Sequence, residues 1–146
     1  MSYKTIINHE EITFENAIVS GNEILDTVEC VPVEDFDLLK KIKGKEFEPI
    51  QYDEKVDLSD PGIEKFIVLP RKKLIFFVDD EEYSTEEIDL TPVDILKIVG
   101  LDAKVYYVKQ LNKHIEITYK EDEHKRVRMI KCPKFITIRN EPTTVS

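Results

Sequence analysis

Cysteine and glycine are scarce in this sequence of 146 residues, and tryptophan is missing from it. The two cysteines, Cys30 and Cys132, are too few for a disulfide framework or for a four-cysteine iron–sulfur centre. The four glycines form no phosphate-binding loop, and the three histidines lack the spacing of a zinc site. We therefore expect no cofactor, no bound metal and no enzymatic activity.

Long apolar runs are also missing. A transmembrane helix needs a run of about 18 or more apolar residues, and no run in this chain approaches that length. The first residues contain no signal peptide. These absences predict a cytoplasmic protein. Apolar residues make up 41% of the chain, which is enough for a buried core. The formal net charge of −9 argues against nucleic acid or an anionic membrane as a partner.

The charge is distributed unevenly between the two halves of the sequence. Residues 1–70 carry 16 acidic and 7 basic residues, whereas residues 71–146 carry 14 of each. A solvated surface is the ordinary explanation of such a charge run. The alternative is a basic face that binds an acidic protein partner. The candidate residues of that face are Lys125, Arg126, Arg128, Lys131, Lys134 and Arg139.

An internal repeat is the most informative signal. The strings EKFIVLPR and PKFITIRN share a pattern and place Phe66 and Phe135 at matching positions. Ser20 and Thr91 both precede a helical pattern with an acidic residue three places later, which is an N-cap signal. The offset between the two caps is nearly the same as the offset between the two phenylalanines. One unit of about 70 residues is therefore used twice. The predicted domains are residues 1–70 and 71–140, followed by a flexible tail at 141–146.

Each unit reads as two strands, one helix and three further strands. The two helices are predicted at Gly21–Cys30 and Pro92–Val99, where Gly100 is a stop signal. The predicted strands are Lys4–Asn8, Ile12–Glu15, Phe36–Ile42, Glu46–Ile50 and Phe66–Leu69 in the first unit, and Leu74–Val78, Glu82–Thr85, Val105–Leu111, His114–Tyr119 and Phe135–Ile138 in the second. This order predicts an α+β fold in which the helix lies across one face of a mixed sheet, with the first and last strands as central neighbours.

Other reactive side chains receive structural interpretations. Cys30 and Cys132 are expected in the core, because free cysteine is usually buried. The carboxylates Asp79 and Asp80 are expected to be solvated in a hairpin turn.

The element order resembles the β-grasp fold of ubiquitin. Residues 46–70 read EFEPIQYDEKVDLSDPGIEKFIVLP, and this stretch resembles the bacterial multiubiquitin family. The second unit departs from that pattern, with DEHKRVRMIKCPKF in the same place. Two fused units also resemble the interferon-induced two-domain modifier of vertebrates. The resemblance therefore implies two tandem ubiquitin-like domains.

The resemblance also implies a function. Members of such a family are modifiers attached through their C-terminus to a target protein, which requires an activating enzyme, a conjugating enzyme and a deconjugating peptidase. Such systems are associated with defence against phage, so a phage protein is one implied target. The alternative is a β-grasp module that binds other proteins and is never conjugated.

The candidate conjugation tail departs from ubiquitin, because no Gly-Gly pair occurs in it. Three explanations stay open: the activating enzyme accepts another residue, the chain is a precursor that is cut near Asn140 or later, or the protein is not conjugated. The tail comprises Asn140, Glu141, Pro142, Thr143, Thr144, Val145 and Ser146.

Overall fold

The structure, a computed structural model, describes residues 2–141. Its internal contacts divide the chain into two units after Lys72, two residues beyond the boundary expected from the repeat. Arg71 belongs to the first unit because its backbone N–H donates to the carbonyl oxygen of Asp35 at 2.9 Å. Within residues 2–141, the helices are too short and too polar to span a bilayer.

The first unit is a five-stranded mixed sheet with one helix. Its elements are β1 (Tyr3–Ile7), β2 (Glu10–Phe14), β3 (Ile18–Ser20), α1 (Gly21–Thr27), β4 (Phe36–Ile42), β5 (Phe47–Ile50), β6 (Lys55–Asp57) and β7 (Ile63–Pro70). The strand order is β2-β1-β7-β4-β5, in which β1 and β7 are parallel neighbours and the other pairs are antiparallel. The expected central pairing of the first and last strands is confirmed.

Residues facing the helix form the core of this unit. Phe66 and Val68 of β7 and Leu38 of β4 are buried with Ile24 and Leu25 of α1. Fully burying one such side chain contributes about 1.5–3 kcal/mol relative to leaving it in water. Successive strand residues point to opposite faces of a sheet. The other residues of β4 and β7 therefore lie on the face opposite the helix, which we call the open face.

The second unit repeats this arrangement. Its elements are β8 (Leu74–Val78), β9 (Glu81–Thr85), β10 (Asp89–Leu90), α2 (Pro92–Val99), β11 (Tyr106–Asn112), β12 (Ile115–Thr118), β13 (Val127–Arg128) and β14 (Lys134–Arg139). The strand order is β12-β11-β14-β8-β9, with β8 and β14 parallel. Phe76, Phe135, Ile95, Leu96 and Met129 are among its core residues. Two tandem β-grasp units, as predicted, make up the fold.

Both predicted helix starts are confirmed, and the ends of the helices explain one difference. Ser20 and Thr91 accept a hydrogen bond from the backbone N–H three residues later, and in α2 Asp94 returns a bond to complete a capping box. Helix α2 ends as predicted before Gly100, which has φ +81°. Helix α1 ends at Thr27 rather than Cys30, because Glu29 takes the left-handed position with φ +58°.

Two miniature sheets were not predicted. Strands β3 and β6 pair in the first unit, and β10 and β13 pair in the second. Each pair contains only two or three residues a strand, which is too short for an alternating pattern to be recognised. Their buried residues, such as Val19 and Val56, pack the segment before each helix against the loop before the last strand of the same unit.

The environment expected for Cys132 was wrong, whereas Cys30 is buried as predicted. Cys132 is exposed and has φ +50°, in a turn that precedes β14. Pro133, not Cys132, is buried, and its carbonyl oxygen accepts a hydrogen bond from Phe77 N–H at 3.0 Å. The turn therefore directs the thiol to solvent before the strand begins.

Asp79 is exposed, but its carboxylate also has a structural role that the sequence did not indicate. Its Oδ1 accepts from Thr137 N–H at 2.9 Å and its Oδ2 accepts from Thr137 Oγ1 at 2.5 Å. Asn8 makes the equivalent contact in the first unit, where Oδ1 accepts from Val68 N–H at 2.7 Å and Nδ2 donates to the Val68 carbonyl oxygen at 3.4 Å. Each side chain thus extends the short parallel ladder beyond the end of the first strand.

Candidate partner-binding residues and the C-terminal segment

The candidate tail leaves the second unit at the end of β14. Arg139 pairs with Tyr106, and the next residue, Asn140, donates its backbone N–H to the Val105 carbonyl oxygen at 2.6 Å. Glu141 is exposed. The other proposed tail residues, Pro142, Thr143, Thr144, Val145 and Ser146, lie outside the described residues. The part that the structure describes therefore places the base of the tail at the surface of the second unit.

The chain leaves the first unit under stronger local restraint. Arg71 makes the equivalent backbone bond, to Asp35, and its Nε also lies 3.0 Å from Asp37 Oδ1. Its guanidinium carbon lies 5.7 Å from the centre of the Tyr52 ring, which is a cation–π contact. In the second unit Tyr107 stands in the register position of Asp37. Arg71, at the end of the first unit, is therefore fixed by side-chain contacts as well as by its backbone. Asn140, at the end of the second unit, is fixed among the described residues by its backbone hydrogen bond.

Lys125 and Arg126 lie in the loop between β12 and β13 and are exposed. A turn positions Lys125, whose N–H donates to the Asp122 carbonyl oxygen at 3.0 Å. Arg128 differs from these two residues because it lies on β13, directly opposite Asp89 on β10. Its Nε is 3.0 Å from Asp89 Oδ1, so this guanidinium already has an anionic partner.

The remaining basic residues are spread over the second unit. Lys131 is exposed in the loop before β14, and Lys134 and Arg139 are the first and last residues of β14. Along an extended strand their separation is about 17 Å, and the odd number of steps between them places them on opposite faces. Lys134 Nζ lies 5.9 Å from the centre of the Phe77 ring. The six residues therefore do not share one face, and their binding to a partner stays a prediction.

One tyrosine hydroxyl, that of Tyr119, is held inside the second unit. Tyr119 is buried and donates its hydroxyl to Gln110 Oε1 at 2.8 Å. Burial, with a smaller contribution from the charge of Asp122, raises the pKa of Tyr119 above its ordinary value. Its hydroxyl is consequently protonated at neutral pH and acts as a polar anchor in the core. Among residues 2–141, no three His, Cys, Asp or Glu side chains cluster as a metal site would require.

The contacts of Asp37 and Tyr52 with Arg71, at the end of the first unit, were not predicted. A local sequence pattern could not indicate these contacts, because both residues are far from Arg71 along the chain. The difference between the two outer edge strands, where β5 has Pro49 and β12 has Thr118, was not predicted either. A signal for that difference was present, since Pro49 lies within the predicted strand Glu46–Ile50.

The sequence model of the family described as Multiubiquitin matches residues 3–71. The chain is a ubiquitin-like β-grasp protein. The match covers the first unit of this ubiquitin-like protein, and the second unit has the same strand order and helix placement. No curated protein matches the chain. The likeness to the interferon-induced two-domain modifier stays a prediction.

Proposed function

We propose that this ubiquitin-like protein is a modifier that is attached to target proteins through the segment following β14. The observation that carries the proposal is the likeness of the first unit to the Multiubiquitin family, combined with a second unit whose last strand leads directly into that segment. The contrast between the two exits supports it. Arg71 is held by Asp37 and Tyr52, whereas Asn140 is held by its backbone.

The proposed chemistry takes place on partner enzymes. An activating enzyme would join the terminal carboxylate to AMP from ATP, with release of pyrophosphate, and an enzyme cysteine would then displace the AMP to form a thioester. A conjugating enzyme would pass the acyl group to an amine of the target, and a peptidase would hydrolyse the bond. In this proposal the chain supplies the carboxylate that is joined to the target and a surface that the enzymes bind. A pathway of defence against phage is the proposed setting.

Deletion of residues 141–146 tests the proposal. We expect the truncated protein to form no covalent adducts in cells that contain the cognate enzymes, while the full chain forms adducts visible by immunoblotting and assigned by mass spectrometry. A pulldown of non-covalent partners serves as the second readout. If the truncated protein keeps its cellular effect and its partners, the protein is a non-conjugated interaction module instead.

Lys125 and Arg126, the exposed basic pair in the loop between β12 and β13, supply a second arm of the same experiment. Lys125→Glu with Arg126→Glu is the appropriate charge reversal, because reversing Arg128 would also break its contact with Asp89. We expect the rate of activation to fall at least several-fold at low salt and the difference to shrink at high salt. The matched control replaces Glu34 and Asp35 of the first unit, both exposed, with lysine. Equal rates for both double variants would leave this loop as a solvated surface only.

A further inference from the structure

The outer strands β5 and β12 differ in whether a further strand can pair with them. Strand β5 contains Pro49, which stands opposite Leu39 of β4. Proline has no backbone N–H, and proline on an edge strand hinders pairing there. In the second unit Thr118 of β12 stands opposite Lys109, the residue of β11 that corresponds to Leu39. Thr118 therefore takes the position of Pro49 and carries the N–H that proline lacks.

The other two outer strands of the five-stranded sheets, β2 and β9, are acidic at both ends. Glutamates stand at the start of each strand and just after its end: Glu10 and Glu15 for β2, and Glu81, Glu82, Glu86 and Glu87 for β9. An antiparallel second copy of either strand would bring like charges together, which is unfavourable.

The hydrogen bonds define which groups of β12 point outward. Tyr119 donates its N–H to the Val108 carbonyl oxygen at 3.0 Å, so the segment paired with β11 is residues 115–119. Backbone groups alternate along an antiparallel strand, and Glu116 and Thr118 therefore direct their N–H and C=O groups away from the sheet. Within residues 2–141 the sheet order ends at β12.

A second copy of β12 matches these outward groups. When it runs antiparallel with Ile117 opposite Ile117, Glu116 of each copy stands opposite Thr118 of the other. Each such pair exchanges both of its N–H to C=O bonds across a two-fold axis. A shift of two residues would instead pair Glu116 with Lys120 or Thr118 with His114, where the chain bends or turns away from the strand.

The helix-facing side chains fit this register. Ile115 is 64% exposed, more than the other large hydrophobic residues described as exposed, and it would stand opposite Tyr119 of the other copy. The half-buried Ile117 would meet its own counterpart at the axis. Apolar cross-strand pairs stabilise a sheet, so the pairing covers the side chain that the single chain leaves most exposed.

On the open face, Glu116 of each copy would stand opposite Thr118 of the other. The Thr118 hydroxyl oxygen accepts from the Lys120 N–H at 3.3 Å, which leaves its hydrogen free to be donated to the carboxylate. Lys109 Nζ lies 3.8 Å from Glu116 Oε2 and offsets the repulsion between the two Glu116 carboxylates near the axis.

The two ends of the paired segment carry opposite charge. Lys113 lies two residues before the segment and Glu121 two residues after it, and both are exposed. An antiparallel copy therefore brings Lys113 of each chain to Glu121 of the other. Lys120 is next to Glu121, but its Nζ lies 5.5 Å from the centre of the Tyr107 ring, so this lysine turns toward β11 and away from the edge.

We propose that two copies of the chain associate through β12, with the two strands antiparallel about Ile117. The main chain supplies affinity, and the charged ends set the direction of the added strand. So short a pairing buries less than the roughly 1,000 Å² of a stable interface, and the dimer should be weak and concentration-dependent. The association does not use the C-terminal segment and goes beyond the proposed conjugation.

Sedimentation equilibrium of the full chain at up to about 1 mM tests the proposal. We expect a monomer–dimer equilibrium in which the N–H groups of Glu116 and Thr118 exchange more slowly as concentration rises. Thr118→Pro should weaken the dimer at least about tenfold, whereas Thr118→Val, which keeps the N–H, should change it by less than about threefold. NMR signals of β11 report whether the proline variant is folded, and Pro49 shows that the first unit accommodates proline at this position.

A charge exchange tests the register without altering the backbone. Lys113→Glu and Glu121→Lys, each alone, should weaken self-association several-fold at low salt, because like charges then meet at both ends. A mixture of the two variants should form heterodimers, in which both ends again carry opposite charge. NMR shifts in β12 of one labelled variant, recorded as the other is added, measure this preference, and high salt should remove it.

Three results would overturn the proposal: a chain that stays monomeric at about 1 mM, a dimer that Thr118→Pro leaves unchanged, or variants that mix without preferring the heterodimer. Deletion of residues 141–146 should leave the dimer intact, so this test and the conjugation experiment can fail independently.

Discussion

The open faces of the two sheets differ at their centres. In the first unit Leu39 lies between Pro49 and Ile67 in the cross-strand register, so three apolar residues are neighbours. In the second unit Lys109 takes the place of Leu39, and its Nζ lies 3.8 Å from Glu116 of the adjacent edge strand. The same ladder of backbone hydrogen bonds thus supports an apolar centre in one unit and an ion pair in the other.

The two units share residue types chiefly where the core requires them. Phe66 and Phe135 are both buried against their helices, and either would leave a large cavity if shortened. Residues on the open face have no such constraint, because they already contact solvent. A duplicated fold therefore presents two chemically different surfaces.

Substitution of Gly21 should give the largest difference in stability between the two units. A Cβ atom at this residue would lie 2.4 Å from the carbonyl oxygen of Gln51, because the start of α1 packs on the turn that holds Gln51 and Tyr52. We expect Gly21→Ala to lower the free energy of unfolding of the first unit by about 3 kcal/mol, the upper end for overpacking. Chemical denaturation followed by NMR signals of each unit measures this, and Asn22→Ala is the control on the same helix. A change under about 1 kcal/mol would show that the turn moves away freely.

Asn8 and Asp79 should differ in how much stability is lost when each is replaced by the other residue type. Asn8→Asp removes a donor and places a carboxylate oxygen against the Val68 carbonyl oxygen, which should cost the first unit about 2 kcal/mol. Asp79→Asn keeps an acceptor for Thr137 and should cost the second unit less than about 1 kcal/mol. The same denaturation experiment compares the two variants at neutral pH. An equal loss of stability in both units would mean that the hydrogen bond from the Asn8 amide to the Val68 carbonyl oxygen does not stabilise the first unit.

The helix ends give the smallest expected effect. Glu29 has φ +58° where the second unit has Gly100 with φ +81°. A side chain is disfavoured in this left-handed conformation, so Glu29→Gly should stabilise the first unit by about 0.5–1 kcal/mol. Gly100→Glu is the reciprocal variant and should destabilise the second unit by a similar amount, since a Cβ there meets no atom within 4 Å. Thermal unfolding of both variants measures the pair, and a loss of stability in Glu29→Gly would contradict the comparison.

Several features followed from local patterns in the sequence. The caps Ser20 and Thr91 were predictable because the interaction spans three residues, and Pro92–Val99 was predicted with the bounds that the structure has. Strand Phe36–Ile42 was also predicted with its observed bounds. The internal repeat indicated two similar units, because the same apolar residues and caps recur in the same order and therefore form the same core in each unit. Local propensity and periodicity need only neighbouring residues, which is why they could be read directly.

Tertiary structure alone decided the rest. Asp79 reaches Thr137 and Arg71 reaches Asp37 across long stretches of chain, so no local pattern contains either contact. The exposure of Cys132 depended on the turn before β14, and the separation of Lys134 from Arg139 depended on the direction of that strand. The sequence by itself determined the two helix starts and the longer strands, because those choices rest on interactions within a few residues. The folded chain decided which side chains meet, because only the strand order brings distant residues together.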